Sequence, residues 1–189
     1  MRGQESSKEA ASRFLKTESR IGNSFYCAEG HHLEVTKETS VNWFSIGGGR
    51  LTVFHRPKLT LLASLQRDGC THVLTLLSEH EQAKKLGLAV SALGLQWLWS
   101  PLPNGDPPSN ARSDELRVLL KSLAKILAEG GSILIHCSAG IHRTGMISNA
   151  LLRSLGLSAD EAKAGLLTMR PITHDGVGEH RLAWGEQFA

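Results

Sequence analysis

Apolar positions along this chain follow two rhythms that take turns: short runs fit for a strand, and longer stretches spaced by three and four residues fit for a helix. Residues 41–46 and 51–55 read as strands joined at Gly47-Gly48-Gly49, a turn open to any backbone angle. Pro57 is read into a first helical turn, with Leu59, Leu62, Ala63 and Leu65 as the buried face and Asp68-Gly69 as the stop. Residues 72–77 form the next strand. Ser78 and Glu81 have the spacing of a capping box, which predicts a helix over 79–86 running on towards Gly94, and 95–99 returns to a strand. Segment 100–110, Ser-Pro-Leu-Pro-Asn-Gly-Asp-Pro-Pro-Ser-Asn, holds too many turn formers for either element and is a loop. Ser113 is expected to cap a long helix carrying Leu116, Leu119, Leu120, Leu123 and Leu127, which ends at Gly130-Gly131. A strand at 132–136, a helix at 143–155, a second opened by the Ser158/Glu161 box and a third near 179–188 complete the pattern. Such alternation predicts an α/β fold with a central, mainly parallel sheet of about four to five strands flanked by helices.

Ahead of this pattern the chain is polar and without sustained period, so residues 1–38 read as a leader or flap and residues 39–189 as one domain. The net charge of +3 argues against a dedicated nucleic-acid surface and stays compatible with anionic substrates. Cys27, Cys70 and Cys137 are too scattered for a disulfide framework, which points to a reducing compartment. The polar start and the lack of a membrane-length apolar run lead to an expectation of a cytoplasmic protein without a membrane partner. Cys27 with His31 and His32 lacks a fourth ligand at a recognisable spacing, so neither metal nor cofactor is expected. Trp97 and Trp99 alternate along a strand and read as packing. Nothing in the sequence sets an oligomeric state.

The candidate chemistry lies at His136-Cys137-Ser138-Ala139-Gly140-Ile141-His142-Arg143-Thr144-Gly145, between an apolar strand and a helix. A cysteine and an arginine five residues apart in a tight loop suit a phosphate-holding nucleophile. The backbone N–H groups of Ser138, Ala139, Gly140, Ile141, His142 and Arg143 can turn inward as a nest for phosphoryl oxygens above Cys137. Arg143 closes the ring with a planar fork, and the helix start favours both the anion and a thiolate.

This run resembles the signature of the protein-tyrosine phosphatase superfamily. The order of segments from about 41 to 188 resembles its compact dual-specificity branch, especially the cyclin-dependent-kinase-associated phosphatase type, with the leader left uncovered. The resemblance implies that Cys137 attacks phosphorus, that Arg143 binds the phosphoryl group and that Ser138 to His142 supply backbone donors. It implies further that His136 helps hold the thiolate and that Thr144 places a hydroxyl near the sulfur during phosphoenzyme hydrolysis. The family's general acid commonly stands three residues after a proline that ends the preceding strand. Counting from Pro103 reaches Asp106, the candidate; counting from Pro101 reaches Asn104. His142 replaces the glycine usual in tyrosine-specific members, and two readings stay open: it lines the pocket mouth or it faces solvent. The implied activity is hydrolysis of phosphotyrosine, with phosphoserine or phosphothreonine, in phosphorylated proteins through a cysteinyl-phosphate. The alternatives are a phosphoinositide or RNA 5′-phosphate substrate, or a phosphate-binding module without turnover.

Overall fold

The computed structural model describes residues 40–189 and, ahead of them, two short strands, β1 (Phe25–Tyr26) and β2 (His32–Leu33), paired antiparallel. Cys27 and His31, considered above as ligands, lie outside the described residues, as does most of the polar leader. The chain divides between Ser40 and Val41.

The second unit is built on a five-stranded sheet: β3 (Phe44–Ile46), β4 (Gly49–Phe54), β5 (His72–Thr75), β6 (Gln96–Trp99) and β7 (Ser132–His136), in the order β3-β4-β7-β5-β6. Only the β3–β4 hairpin is antiparallel. The helices are α1 (Leu59–Arg67), α2 (Ala83–Ala92), α3 (Asn110–Ala128), α4 (His142–Ser154), α5 (Ala159–Met169), α6 (Pro171–Gly176) and α7 (Glu179–Gly185), followed by a 3-10 turn over Glu186–Phe188. The α/β architecture with a mainly parallel sheet is therefore as the sequence implied.

Period-two alternation sorts the strand residues between two cores. Leu51, Val53, Leu74, Ile133 and Ile135 pack with α3, α4 and α5 on one face. Phe54, Val73 and Leu134 pack with Leu62 and Leu65 of α1 and Val90 of α2 on the other. The helices leaving β4 and β5 thus cover one face and the helix leaving β7 covers the opposite one. Connections that part in this way open a crevice at the carboxyl ends of the strands.

Three local expectations are corrected. α3 starts after Ser109, and Ser113 lies buried inside it, donating its hydroxyl back to the Ser109 carbonyl at 3.3 Å. The Ser158/Glu161 box does open α5, but the Ser78/Glu81 pair does not open α2. Residues 79–82 form a turn that ends at Gln82 with φ 60°, the one left-handed residue other than glycine among those described. Such a conformation costs roughly 1–2 kcal/mol in an L-residue and tends to persist where function needs it. Pro171 starts an extra short helix, α6, where none was expected.

Candidate active site

β7 is central, its five residues are all buried, and its carboxyl end delivers Cys137 to the floor of the crevice at 3% exposure. Ser138 and Ala139 above it are exposed. The turn back is made by Gly140 at φ +69°, where a β-carbon would collide with the Phe54 carbonyl. The Gly140 N–H donates to the Cys137 sulfur at 3.2 Å.

The loop's carbonyls all have partners on its outer side. Ser138 accepts from the Arg56 N–H at 3.0 Å, and Ala139 accepts from the Arg170 guanidinium at 3.1 Å. Gly140 accepts from Arg170 at 2.9 Å and from the Thr173 hydroxyl at 2.6 Å. Every described peptide is trans, so each following N–H points opposite to its carbonyl. The amides of Ala139, Gly140 and Ile141 therefore face inward, the concave cluster that a tetrahedral oxyanion requires. Arg170 and Thr173 sit at the α5–α6 junction; burial lowers the guanidinium's affinity for its proton and the nearby Cys137 charge raises it.

Arg143 lies in the first turn of α4 and is committed on one edge. Its Nη1 and Nη2 donate to the Glu81 carboxylate at 2.7 and 2.8 Å, and Nη1 also reaches the Leu102 carbonyl at 3.1 Å. The Nε–H and the second Nη2–H stay on the side of the fork, the pair that spans two phosphoryl oxygens. The Glu81 hydrogen bond, foremost, keeps the guanidinium protonated; in return Arg143 pulls the Glu81 carboxyl down to about 2. Ser78 also donates to Glu81, from its N–H at 2.9 Å and its hydroxyl at 3.0 Å. The capping-box spacing thus marks a carboxylate clamp on Arg143.

His136 is wholly buried, which draws its imidazole down to about 4. Nδ1 lies 3.3 Å from the Cys137 carbonyl and Nε2 lies 2.9 Å from the Thr75 hydroxyl. The Thr144 hydroxyl is buried and has no hydrogen-bond partner among the described residues, the Cys137 sulfur included.

Across the crevice, segment 100–109 carries both acid candidates. Asn104 accepts the Asp106 N–H through its side-chain oxygen at 3.1 Å, folding the loop on itself. Asp106 is exposed, with its carboxylate 3.7 Å from Arg181, and Arg181 Nε also donates to the Gly105 carbonyl. A β-carbon at Gly105 would lie 2.9 Å from the β-carbon of His142. His142 itself is solvent-exposed, so Asp106 is one residue from the contact between the two loops.

Glu81, Arg170 and Thr173 were not anticipated as parts of this site. Glu81 carried a signal that read as a helix cap, and Arg170 had only the following Pro171 to mark it. Among the described residues no group of three or more His, Cys, Asp or Glu side chains could hold a metal ion, and no helix is long and apolar enough to cross a membrane.

A family model described as a polymorphic toxin system DSP-PTPase phosphatase matches residues 53–156. Among solved structures, Tk-PTP in its active form is 25% identical, with a TM-score of 0.61 over 79% of this chain and 95% of its own. Kinase-associated phosphatase (KAP), with its catalytic-site cysteine changed to serine, is 17% identical, with a TM-score of 0.64 over 81% of this chain and 95% of its own. PTPMT1 in complex with PI(5)P is 18% identical, with a TM-score of 0.61 over 77% of this chain and 93% of its own. The last two share the fold. No curated protein matches the chain by sequence.

Proposed function

Because the chain belongs to the DSP-PTPase phosphatase family of polymorphic toxin systems, we propose that it hydrolyses phosphate monoesters through a cysteinyl-phosphate, with proteins phosphorylated on tyrosine as the first substrate class and on serine or threonine as the second. The observation that carries the reading is the loop itself: a sulfur at its floor, inward amides around it and an arginine clamped on one edge by Glu81 and close enough for the Cys137 sulfur to favour its charge.

In the first step the Cys137 thiolate forms the S–P bond as the P–O bond to the alcohol or phenol breaks. The inward amides and the free edge of Arg143 take up charge on the three equatorial oxygens. Asp106 gives its proton to the departing oxygen. In the second step water attacks phosphorus, Asp106 takes its proton, and the S–P bond breaks to return the thiolate. Thr144, whose buried hydroxyl has no hydrogen-bond partner among the described residues, turns it to the sulfur as that leaves. His142 faces solvent at the rim, where it meets the substrate's flank. A thiolate nucleophile needs reducing surroundings, which supports a cytoplasmic setting.

A phosphoinositide or the 5′-phosphate of RNA is the second reading. It is favoured by the exposed Arg56, whose side chain reaches the Glu81 carbonyl at 3.0 Å beside the loop and whose charge is felt by His136.

The test is acid-quenched mass spectrometry during turnover of an aryl phosphate under reducing conditions. The expected result is one added phosphoryl group on the peptide carrying Cys137; turnover without that adduct, or no turnover, sinks the mechanism. A panel of phosphotyrosine, phosphoserine and phosphothreonine peptides, phosphoinositides and 5′-phosphorylated RNA then ranks the substrates by kcat/KM.

A further inference from the structure

The segment that carries the proton donor is held from two sides at Gly105. On one side lies His142: a β-carbon built on Gly105 would fall 2.9 Å from the β-carbon of His142 and 3.5 Å from its Cγ and Nδ1, so the Gly105 backbone already rests on that side chain. On the other side lies Arg181 of α7, whose Nε donates to the Gly105 carbonyl while its Nη1 donates to the Val177 carbonyl at 3.0 Å. Gly105 is half-buried between these two, whereas its neighbours Asn104 and Asp106 are exposed. Nothing in its backbone calls for a glycine, because Gly105 lies outside the left-handed region. What excludes a side chain is space, and His142 fills that space. We propose that His142 and Gly105 form a seat for the acid-bearing segment, which makes His142 a positioning residue for the proton donor. This rests on the phosphatase reading, with Asp106 as the donor.

The seat joins the two halves of the reaction through one residue on either side. His142 precedes Arg143, which grips the phosphoryl group, and Gly105 precedes Asp106, which protonates the departing oxygen. Proton transfer needs donor and acceptor atoms about 2.6–3.2 Å apart, so the reach of Asp106 must be set from the phosphate loop itself. A carbon-to-carbon contact does this by stopping the approach at a fixed distance, and it leaves the loop able to lift away without breaking a polar bond. A methyl group on Gly105 would have to regain an ordinary contact distance of about 3.5–4.0 Å from the His142 β-carbon, which means a withdrawal of roughly 0.6–1.1 Å. Leu102 stays tied to Leu76 and Arg143, so the withdrawal falls on residues 103–108 and leaves the phosphate grip in place.

The first test needs no variant: magnetisation transfer between the α-protons of Gly105 and the β-protons of His142 is expected in the unmodified protein, and its absence overturns the proposal. Gly105→Ala should then lower kcat/KM on an alkyl phosphate by about tenfold to a hundredfold, the cost of a misplacement near 1 Å. On an activated aryl phosphate, which needs no proton, the loss should stay under about threefold. The obstruction is the β-carbon and not the imidazole. Adding His142→Gly should therefore bring the alkyl phosphate back to within about threefold of the unmodified protein, whereas adding His142→Ala should recover less than about twofold. Both changes keep the backbone N–H of residue 142. Equal recovery by the two, or a Gly105→Ala loss of the same size on both substrates, overturns the seat and leaves the cysteinyl-phosphate mechanism standing. Nitrogen relaxation of the amides of residues 104–106 gives a readout without turnover: order should fall in Gly105→Ala and return with His142→Gly but not with His142→Ala. Amides that do not respond in a folded Gly105→Ala protein overturn the proposal. Amides that follow this pattern in a protein that hydrolyses no phosphate ester support the seat and refute the phosphatase mechanism.

Discussion

The two loops that face each other across the site are held in opposite ways. From Ser138 to Ile141 every backbone carbonyl of the phosphate loop has a partner: the Arg56 N–H, the Arg170 guanidinium, the Thr173 hydroxyl and the Gly145 N–H. Segment 100–109 is anchored as far as Leu102, whose N–H reaches the Leu76 carbonyl and whose carbonyl receives Arg143. From Pro103 to Pro108, the polar ties among the described residues are the internal Asn104 turn and the grip of Arg181 on Gly105 and Asp106. The difference separates two chemical demands. Stabilising a trigonal phosphoryl group requires dipoles that need no rearrangement when charge develops, whereas a proton donor must make room for leaving groups of different size.

The contrast breaks first at Arg143. Arg143→Met should lower kcat/KM about a thousandfold or more on every substrate, whatever its leaving group, in line with arginines that bind a transferring phosphoryl group. An effect confined to poor leaving groups would mean that Arg143 serves the proton and not the phosphate. Next comes Asp106→Asn, expected to cost about a hundredfold to ten-thousandfold on alkyl phosphates and under about threefold on an activated aryl phosphate. Should Asn104→Ala show that pattern in its place, the acid assignment moves. The two tethers offer a finer comparison: Arg170→Met should cost about tenfold to a hundredfold on both substrate types, because charged hydrogen bonds to two loop carbonyls are lost. Arg181→Met should cost about threefold to tenfold, and only on alkyl phosphates. Equal profiles for the two variants would erase the distinction between the loops.

The smallest expected effect is on stability. Burial lowers His136 from 6.5 to about 4, so its contribution is complete above pH 6.5 and declines as the pH falls towards 4. Arg143 lowers Glu81 from 4.5 to about 2, so that contribution is complete above pH 4.5 and is lost as the pH falls towards 2. Urea midpoints measured across this range should therefore fall in two overlapping stages, and Glu81→Gln should remove the lower one. A variant curve that still tracks the unmodified protein below pH 4.5 would show that the clamp contributes nothing to stability.

Much of this arrangement was legible in the chain because its cause is local. The strand, the seven residues from Cys137 to Arg143 and the following helix are contiguous, so period, turn and helix start all appear in one short run. The hairpin and the Ser158/Glu161 cap were legible for the same reason. Glu81 was not, since its partner Arg143 lies 62 positions away and the spacing to Ser78 imitates a helix cap. Arg170 is 30 positions from the carbonyl of Gly140, and Thr75 is 61 from His136. Such pairings depend on strand order, and β7 entering between β4 and β5 is not encoded by the pattern of any one segment.

The lateral alignment of the three parallel strands carries one more consequence. Phe54, His136 and Thr75 stand level with one another, and Cys137 follows immediately on the opposite side of the pleat. A single inserted residue within β7 would shift this phase by half a period and swap the imidazole and the sulfur between faces, putting the thiol under α1 and α2. Length changes in the surface connections leave that phase intact. Descendants of this sequence should therefore vary freely in loop size while the count of residues from Ser132 to Cys137 stays fixed.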